Sequence, residues 1–148
     1  MIHHLSIPAK NPLHVATILA ELFEGTFTRF GPYQDSYIAW MGDELGSAIE
    51  VFPLGTELLP DPGAGRACFR HNASASDFTA THATVSVHRT QEDILVLARR
   101  EGWSALALSR GSFRVIEFWI ENRVMLELTT ADMTREYLAA TAIYRRPS

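Results

Sequence analysis

The chain runs through one pattern of strands and helix twice, at an offset of 77 to 78 residues: His4 answers to His82, Gly25 to Gly102 and Glu50 to Glu127. In the first pass, residues 2–8 alternate in the manner of a strand, with Leu5 and Ile7 on one face and His4, Ser6 and Pro8 on the other. Asn11 followed by Pro12 predicts a helix start. Val15, Ile18, Leu19, Leu22 and Phe23 supply its apolar stripe, and Gly25 is expected to close it in the left-handed conformation. Strands are then expected near 26–30, 36–41 and 47–52, the last two joined by the turn 42–46. The second pass opens on residues 82–88, where Ala83, Val85 and Val87 alternate against His82, Thr84, Ser86 and His88. Thr90 and Asp93 have capping-box spacing, Ile94, Leu97 and Ala98 form the stripe, and Gly102 ends the helix. Strands follow at 104–109, 112–120 and 124–130.

Each pass therefore reads strand, helix, strand, strand, strand. A module of that size cannot bury both faces of its sheet, so it needs a partner half. The expected organisation is an α+β fold with a first βαβββ module at 1–53 and a second at 82–130. Residues 54–81, rich in Gly, Pro, Ser and Ala, are longer than an ordinary connection and read as a linker with a possible role as a lid. Residues 131–148 add a C-terminal helix, near 132–143, and a tail.

Composition narrows the partners. With 47% apolar and 20% charged residues the chain reads as globular, and a net charge of −4 gives no reason to expect nucleic acid. The basic pairs Arg99–Arg100 and Arg145–Arg146 fit solvated helix ends, where cations complement the dipole. No apolar run approaches the roughly 20 residues that span a bilayer, and Met1-Ile-His-His has no signal-peptide character. Cys68, the single cysteine, cannot form an internal disulfide, which suits a reducing, cytoplasmic setting.

In each pass the first strand carries a histidine and the last a glutamate on the face opposite the apolar one. Glu50 lies between Ile49 and Val51, and Glu127 between Leu126 and Leu128. A carboxylate buried in such a strand costs several kcal/mol, on the order of 3 or more, without a counter-charge. Two imidazoles and two carboxylates at symmetric positions can balance one divalent cation, and such ligands suit Ni, Zn, Co, Mn or Fe. The expected metal ligands are His4, Glu50, His82 and Glu127.

His4-Leu-Ser-Ile-Pro-Ala-Lys-Asn11, Ala20-Glu-Leu-Phe23, His82-Ala-Thr-Val-Ser-Val87 and Met125-Leu-Glu-Leu128 together resemble the vicinal-oxygen-chelate superfamily of glyoxalases, bleomycin resistance proteins and extradiol dioxygenases. The resemblance implies a cupped, eight-stranded half-barrel with helices outside, and metal ligands on the first and last strands of each module. It also implies a small-molecule substrate and a homodimer, with modules pairing within one chain or across two. The His/Glu/His/Glu set is similar to that of bacterial-type glyoxalase I, in which a ligand-position glutamate acts as base. Glu127 and Glu50 are accordingly the candidate catalytic residues. The chain departs from that enzyme at Ile120-Glu-Asn-Arg123 and at Phe23-Glu-Gly25, which weakens the case for a glutathione-linked substrate.

The resemblance leaves three functions open. One is a metal-dependent glyoxalase-like isomerase or lyase acting on a small oxygenated substrate. Another is an extradiol-type ring-cleaving dioxygenase using His4, His82 and Glu127, against which Glu50 would occupy a position that substrate or oxygen needs. The third is a metal-free protein that sequesters a ligand or antibiotic. His88 and Arg70 are the candidate substrate-pocket residues, each weighed against an ordinary surface role. Trp40, Trp119, Phe113 and Phe118 read as core, and Arg110, Glu121 and Arg123 as turn residues.

Overall fold

The computed structural model describes residues 2–31, 33–63 and 65–145, so Arg146 of the second basic pair lies outside the described residues. The chain divides into two compact units, Met1–Phe78 and Thr79–Ser148. In the first, strand β1 (His4–Ala9) leads into helix α1 (Pro12–Leu22). Asn11 caps the helix by accepting the His14 amide, and Val15, Ile18, Leu19 and Leu22 are buried on one side. Strands β2 (Thr26–Arg29), β3 (Tyr37–Trp40) and β4 (Ala48–Pro53) complete a sheet of order β1-β4-β3-β2, in which β1 and β4 run parallel. The turn before β4 is held by Asp43, whose Oδ1 accepts the amides of Leu45 and Ser47.

The end of α1 differs from expectation. Glu24, not Gly25, takes the left-handed conformation (φ 55°), and the Gly25 amide donates back to the Ala20 carbonyl. Gly25 is needed for another reason. A Cβ built there would lie 1.8 Å from the Trp40 carbonyl oxygen, so the backbone passes where no side chain fits.

The stretch 54–81 is not a structureless linker. It contains a hairpin of β5 (Thr56–Leu59) and β6 (Cys68–His71), and through Phe78 it belongs to the first unit. Phe69 of β6 packs against Phe52 of β4 and against Tyr33, with ring centroids 5.7 and 5.1 Å apart. Four-residue strands of mixed polarity carry little periodicity, so the sequence pattern did not reveal them.

The second unit repeats the first. Strand β7 (Ala83–Ser86), helix α2 (Gln91–Glu101), and strands β8 (Ser104–Ser109), β9 (Arg114–Ile120) and β10 (Val124–Thr129) form a sheet of order β7-β10-β9-β8. The strand order and the parallel first–last pairing match those of the first sheet. The capping box of Thr90 and Asp93 is present, and Gly102 ends α2 with φ 68°. Ile116, Phe118 and Ile120 form the buried face of β9, with Phe118 edge-on to Trp103. Helix α3 (Ala131–Thr141) packs on β9 and β10 and runs into a short 3-10 turn at Ala142–Tyr144. No helix among the described residues is long and apolar enough to cross a membrane.

Candidate functional site

Alternation along the strands sorts each sheet into a helix-covered face and a face bearing the buried carboxylate. In the first unit, Ser6 lies beside Glu50 across the parallel β1–β4 pair, and His4 is two residues back on the same face. Glu50 is only 8% exposed. Its Oε2 accepts a bond from Ser6 Oγ at 2.7 Å, and its Oε1 lies 3.6 Å from His4 Nε2. The His4 side chain is largely exposed, so the pair has a buried acid and an accessible imidazole. Tetrahedral ligands about 2.1 Å from a common ion stand about 3.4 Å apart. The nitrogen and oxygen of this pair are therefore spaced for one divalent cation with little rearrangement.

In the second unit the corresponding hydroxyl is that of Thr84, which donates to Glu127 Oε2 at 2.9 Å. Here the counter-charge to the buried carboxylate is an arginine. Arg110 donates to Glu127 Oε1 from Nε at 3.0 Å and from Nη2 at 2.9 Å, and its Nη2 also reaches Glu117 Oε1 at 2.5 Å. Glu117 sits directly across from Glu127 in the β9–β10 pair, and its Oε2 accepts the Trp119 indole N–H at 3.3 Å. Arg110 was assigned only to a turn by its Arg-Gly sequence. No periodic signal marks it, because it reaches the carboxylate from just beyond the end of β8. His82 lies ahead of β7, is exposed, and bonds through Nδ1 to the Ala80 carbonyl at 3.1 Å. Among the described residues no group of three or more His, Cys, Asp or Glu side chains is assembled that could hold a metal. The first unit's pair thus fits a cation, whereas the second unit's residues, as they stand, do not.

The two bonded carboxylates set the electrostatics of the second unit. The hydrogen bond from Arg110 holds the Glu117 carboxyl below its ordinary value of 4.5, and the same bonds to Glu117 and Glu127 raise the arginine's pKa. Since the folded pKa of Glu117 is depressed, its contribution to stability is fully present above about 4.5 and is lost as pH falls through the lower folded value. Denaturant unfolding of wild type and Glu117→Gln, followed from pH 6 to about pH 2, should give a steeper acid loss in wild type. Parallel curves would remove Glu117 from the acid response.

Two indoles expected in the core lie instead on the carboxylate faces. Trp40 is 37% exposed and donates to Thr28 Oγ1, while Trp119 is partly buried and bonded to Glu117. The cross-strand registers put them at matching places: Ile38 faces Glu50 and Glu117 faces Glu127, each two residues before the indole. Alternation would have put Trp40 with Glu50's face once the register was known; the spacing in sequence did not supply it. Glu121 and Arg123 lie in the turn between β9 and β10, as expected, and Arg123 is buried there beside Glu121.

Of the candidate pocket residues, Arg70 donates from Nε to Glu57 at 3.0 Å within the hairpin. It follows Phe69 in β6, so it points away from the side that packs on Phe52. His88 lines a cleft of about 310 Å³ where the starts of α2 and α3 meet, together with Arg89, Thr90, Arg114 and Asp132. Nearby, the hydroxyls of Ser86, Thr129 and Thr134 bond to one another.

No known sequence family matches the chain, and no curated protein matches it. Solved structures do. The fosfomycin resistance protein FosX from Listeria monocytogenes, complexed with Mn(II) and sulfate ion, is 13% identical, with 95% of each chain covered and a TM-score of 0.57. FosX from Mesorhizobium loti is 14% identical over 93% of this chain and 96% of that one, at a TM-score of 0.54. A glyoxylase/bleomycin resistance protein/dioxygenase domain from Frankia sp. EAN1pec is 13% identical over 86% and 94%, at 0.52. The fold is that of the vicinal-oxygen-chelate superfamily. Each of the two four-stranded sheets has the strand order of the βαβββ module that the repeat predicted, and the β5–β6 hairpin lies between them in sequence.

Proposed function

We propose that this chain is a metal-dependent enzyme of the glyoxalase type, an isomerase or lyase acting on a small oxygenated molecule. The observation that carries this reading is the His4–Glu50 pair: an exposed imidazole 3.6 Å from a buried carboxylate whose other oxygen accepts the Ser6 hydroxyl. His4 and Glu50 are the proposed ligands from the first module; His82 and Glu127 are their proposed counterparts in the second, and to serve as ligands they would have to give up the Ala80 carbonyl and Arg110. The Mn(II) complex of a FosX with the same fold supports a divalent ion as the cofactor class. When bound, such an ion would polarise substrate oxygens and offset the charge that develops as a neighbouring carbon loses a proton.

The chain's own residues do the rest. Glu50 is also the proposed proton acceptor. Ser6 fixes the carboxylate's rotation, and burial in β4 keeps bulk water from it. Trp40, on the same face, offers an apolar wall for the substrate's carbon frame. A homodimer is the proposed assembly, and sedimentation velocity decides it.

Calorimetric titration of tag-free protein with Mn²⁺, Zn²⁺ and Ni²⁺ at pH 7.5 tests the reading. One ion per chain is expected, with binding lost in His4→Ala. Absence of both binding heat and a thermal shift for all three ions would overturn it. That result would favour a metal-free ligand-binding protein, a second reading supported by Arg110, which already neutralises the second module's carboxylate.

A further inference from the structure

We propose that Phe69 and its β5–β6 hairpin form a displaceable cover over a subsite on the first unit's carboxylate face, where the buried hydroxyl of Ser36 bonds an oxygen on a small planar ring. That this ring belongs to an enzyme's substrate rests on the reading above; the subsite itself needs no metal.

The sheet register locates it. Glu50 and Phe52 of β4 share the carboxylate face, Ile38 lies directly across from Glu50, and Thr28 across from Ile38. Ser36, two residues before Ile38, continues that face, and its carbonyl accepts the Phe30 amide, so the β2–β3 pairing runs on to it. It therefore stands diagonal to Glu50, about 7–8 Å away. Phe52 and Phe30 flank Ser36 on the neighbouring strands, and their rings meet edge-on with centroids 5.7 Å apart. Phe69 lies against Phe52 at 5.7 Å and against Tyr33 at 5.1 Å, tilted by 31° and 36°.

Ser36 is only 2% exposed, and its Oγ finds no hydrogen-bond partner among the described residues. A buried hydroxyl without a partner costs free energy that an alanine beside the same rings would not. The rings give no reason for it; a ligand oxygen does. Phe69 is the ring that can leave. Strands β5 and β6 pair with each other in a sheet of their own, so displacing Phe69 breaks no ladder bond of the sheet that carries Glu50 and Ser36. A planar ring in its place keeps the aromatic contacts with Phe52 and Tyr33. A hydroxyl or carbonyl on its edge satisfies Ser36, and the ring with its substituents reaches back toward Glu50. The substrate class is thus a single planar ring with an oxygen at the end remote from the reacting carbon.

The test is amide NMR titration of the full chain, without metal, using phenol and toluene, which differ by a hydroxyl in place of a methyl. Phenol should bind saturably and shift amides near 30–36 and 68–71. Ser36→Ala should weaken phenol by about five- to tenfold and leave toluene unchanged. The free Ser36→Ala protein should melt no lower than wild type, because an unpaired buried hydroxyl has been removed. Phe69→Ala, which empties the place, should tighten phenol by about threefold or more, since nothing must be displaced first. Should it not fold, Phe69→Leu keeps the hairpin's apolar contact and should show part of the gain. Equal phenol affinity in wild type and Ser36→Ala would overturn the proposal, as would saturable binding in none of the proteins. A lower melting midpoint for Ser36→Ala would overturn it too, by showing that the hydroxyl has a structural partner such as a buried water. If the chain takes up Mn²⁺, Zn²⁺ or Ni²⁺ but phenol ignores Ser36, this proposal fails alone. If phenol binding depends on Ser36 and no ion binds, the subsite stands and the metal-dependent reading falls.

Discussion

Gly25→Ala is expected to lower the melting midpoint by roughly 10 °C, through a loss of about 3 kcal/mol. The added methyl would meet the Trp40 carbonyl oxygen at 1.8 Å and its carbon at 2.9 Å. Both are backbone atoms, so no rotamer change relieves the clash, and β3 must move away from the end of α1. β3 is the strand that pairs with β4 and holds Glu50 in register, so the damage reaches the candidate site. Gly31→Ala is the control, since a Cβ there meets nothing within 4 Å. Thermal unfolding of the two variants should separate them clearly. Similar midpoints for both would show that the α1–β3 approach has slack that the geometry does not suggest.

Glu50→Gln is expected to weaken metal binding by about 100-fold or more while leaving the apoprotein's midpoint unchanged or slightly raised. Loss of a supporting residue around a metal ligand costs about 10–100-fold, and loss of the ligand's charge should reach the upper end or pass it. The amide keeps the shape of the carboxylate and can still accept the Ser6 hydroxyl bond. It also removes a buried charge, which is often neutral or favourable for stability. Any proton-transfer activity found for the chain should vanish with it, because glutamine cannot hold the proton. Unaltered metal affinity in this variant would exclude Glu50 as a ligand. A large fall in the apoprotein's midpoint would mean instead that the carboxylate is structural.

The architecture was legible because it is periodic and repeated. The Asn11–Pro12 start, the Thr90–Asp93 capping box, the Gly102 stop and the alternating strands are local features whose spacing survives without knowledge of the neighbours. Because the pattern recurs, each half supported the other. The burial of Glu50 and Glu127 was legible for the same reason: a lone charge amid β-branched and leucine neighbours has its orientation set by theirs.

Partners across strands are a different matter. That Arg110 pairs with Glu127, and that Glu117 faces Glu127 while Ile38 faces Glu50, follows from register between segments 10 to 17 residues apart. So does the close approach that reserves position 25 for glycine, although its spacing suggested a helix cap. The sequence by itself determined two βαβββ modules and which side of each carries an acid, because strand and helix periodicities are properties of consecutive residues. Only the tertiary structure decided which cation that acid meets, because charge pairing depends on distances between atoms that the chain brings together by folding.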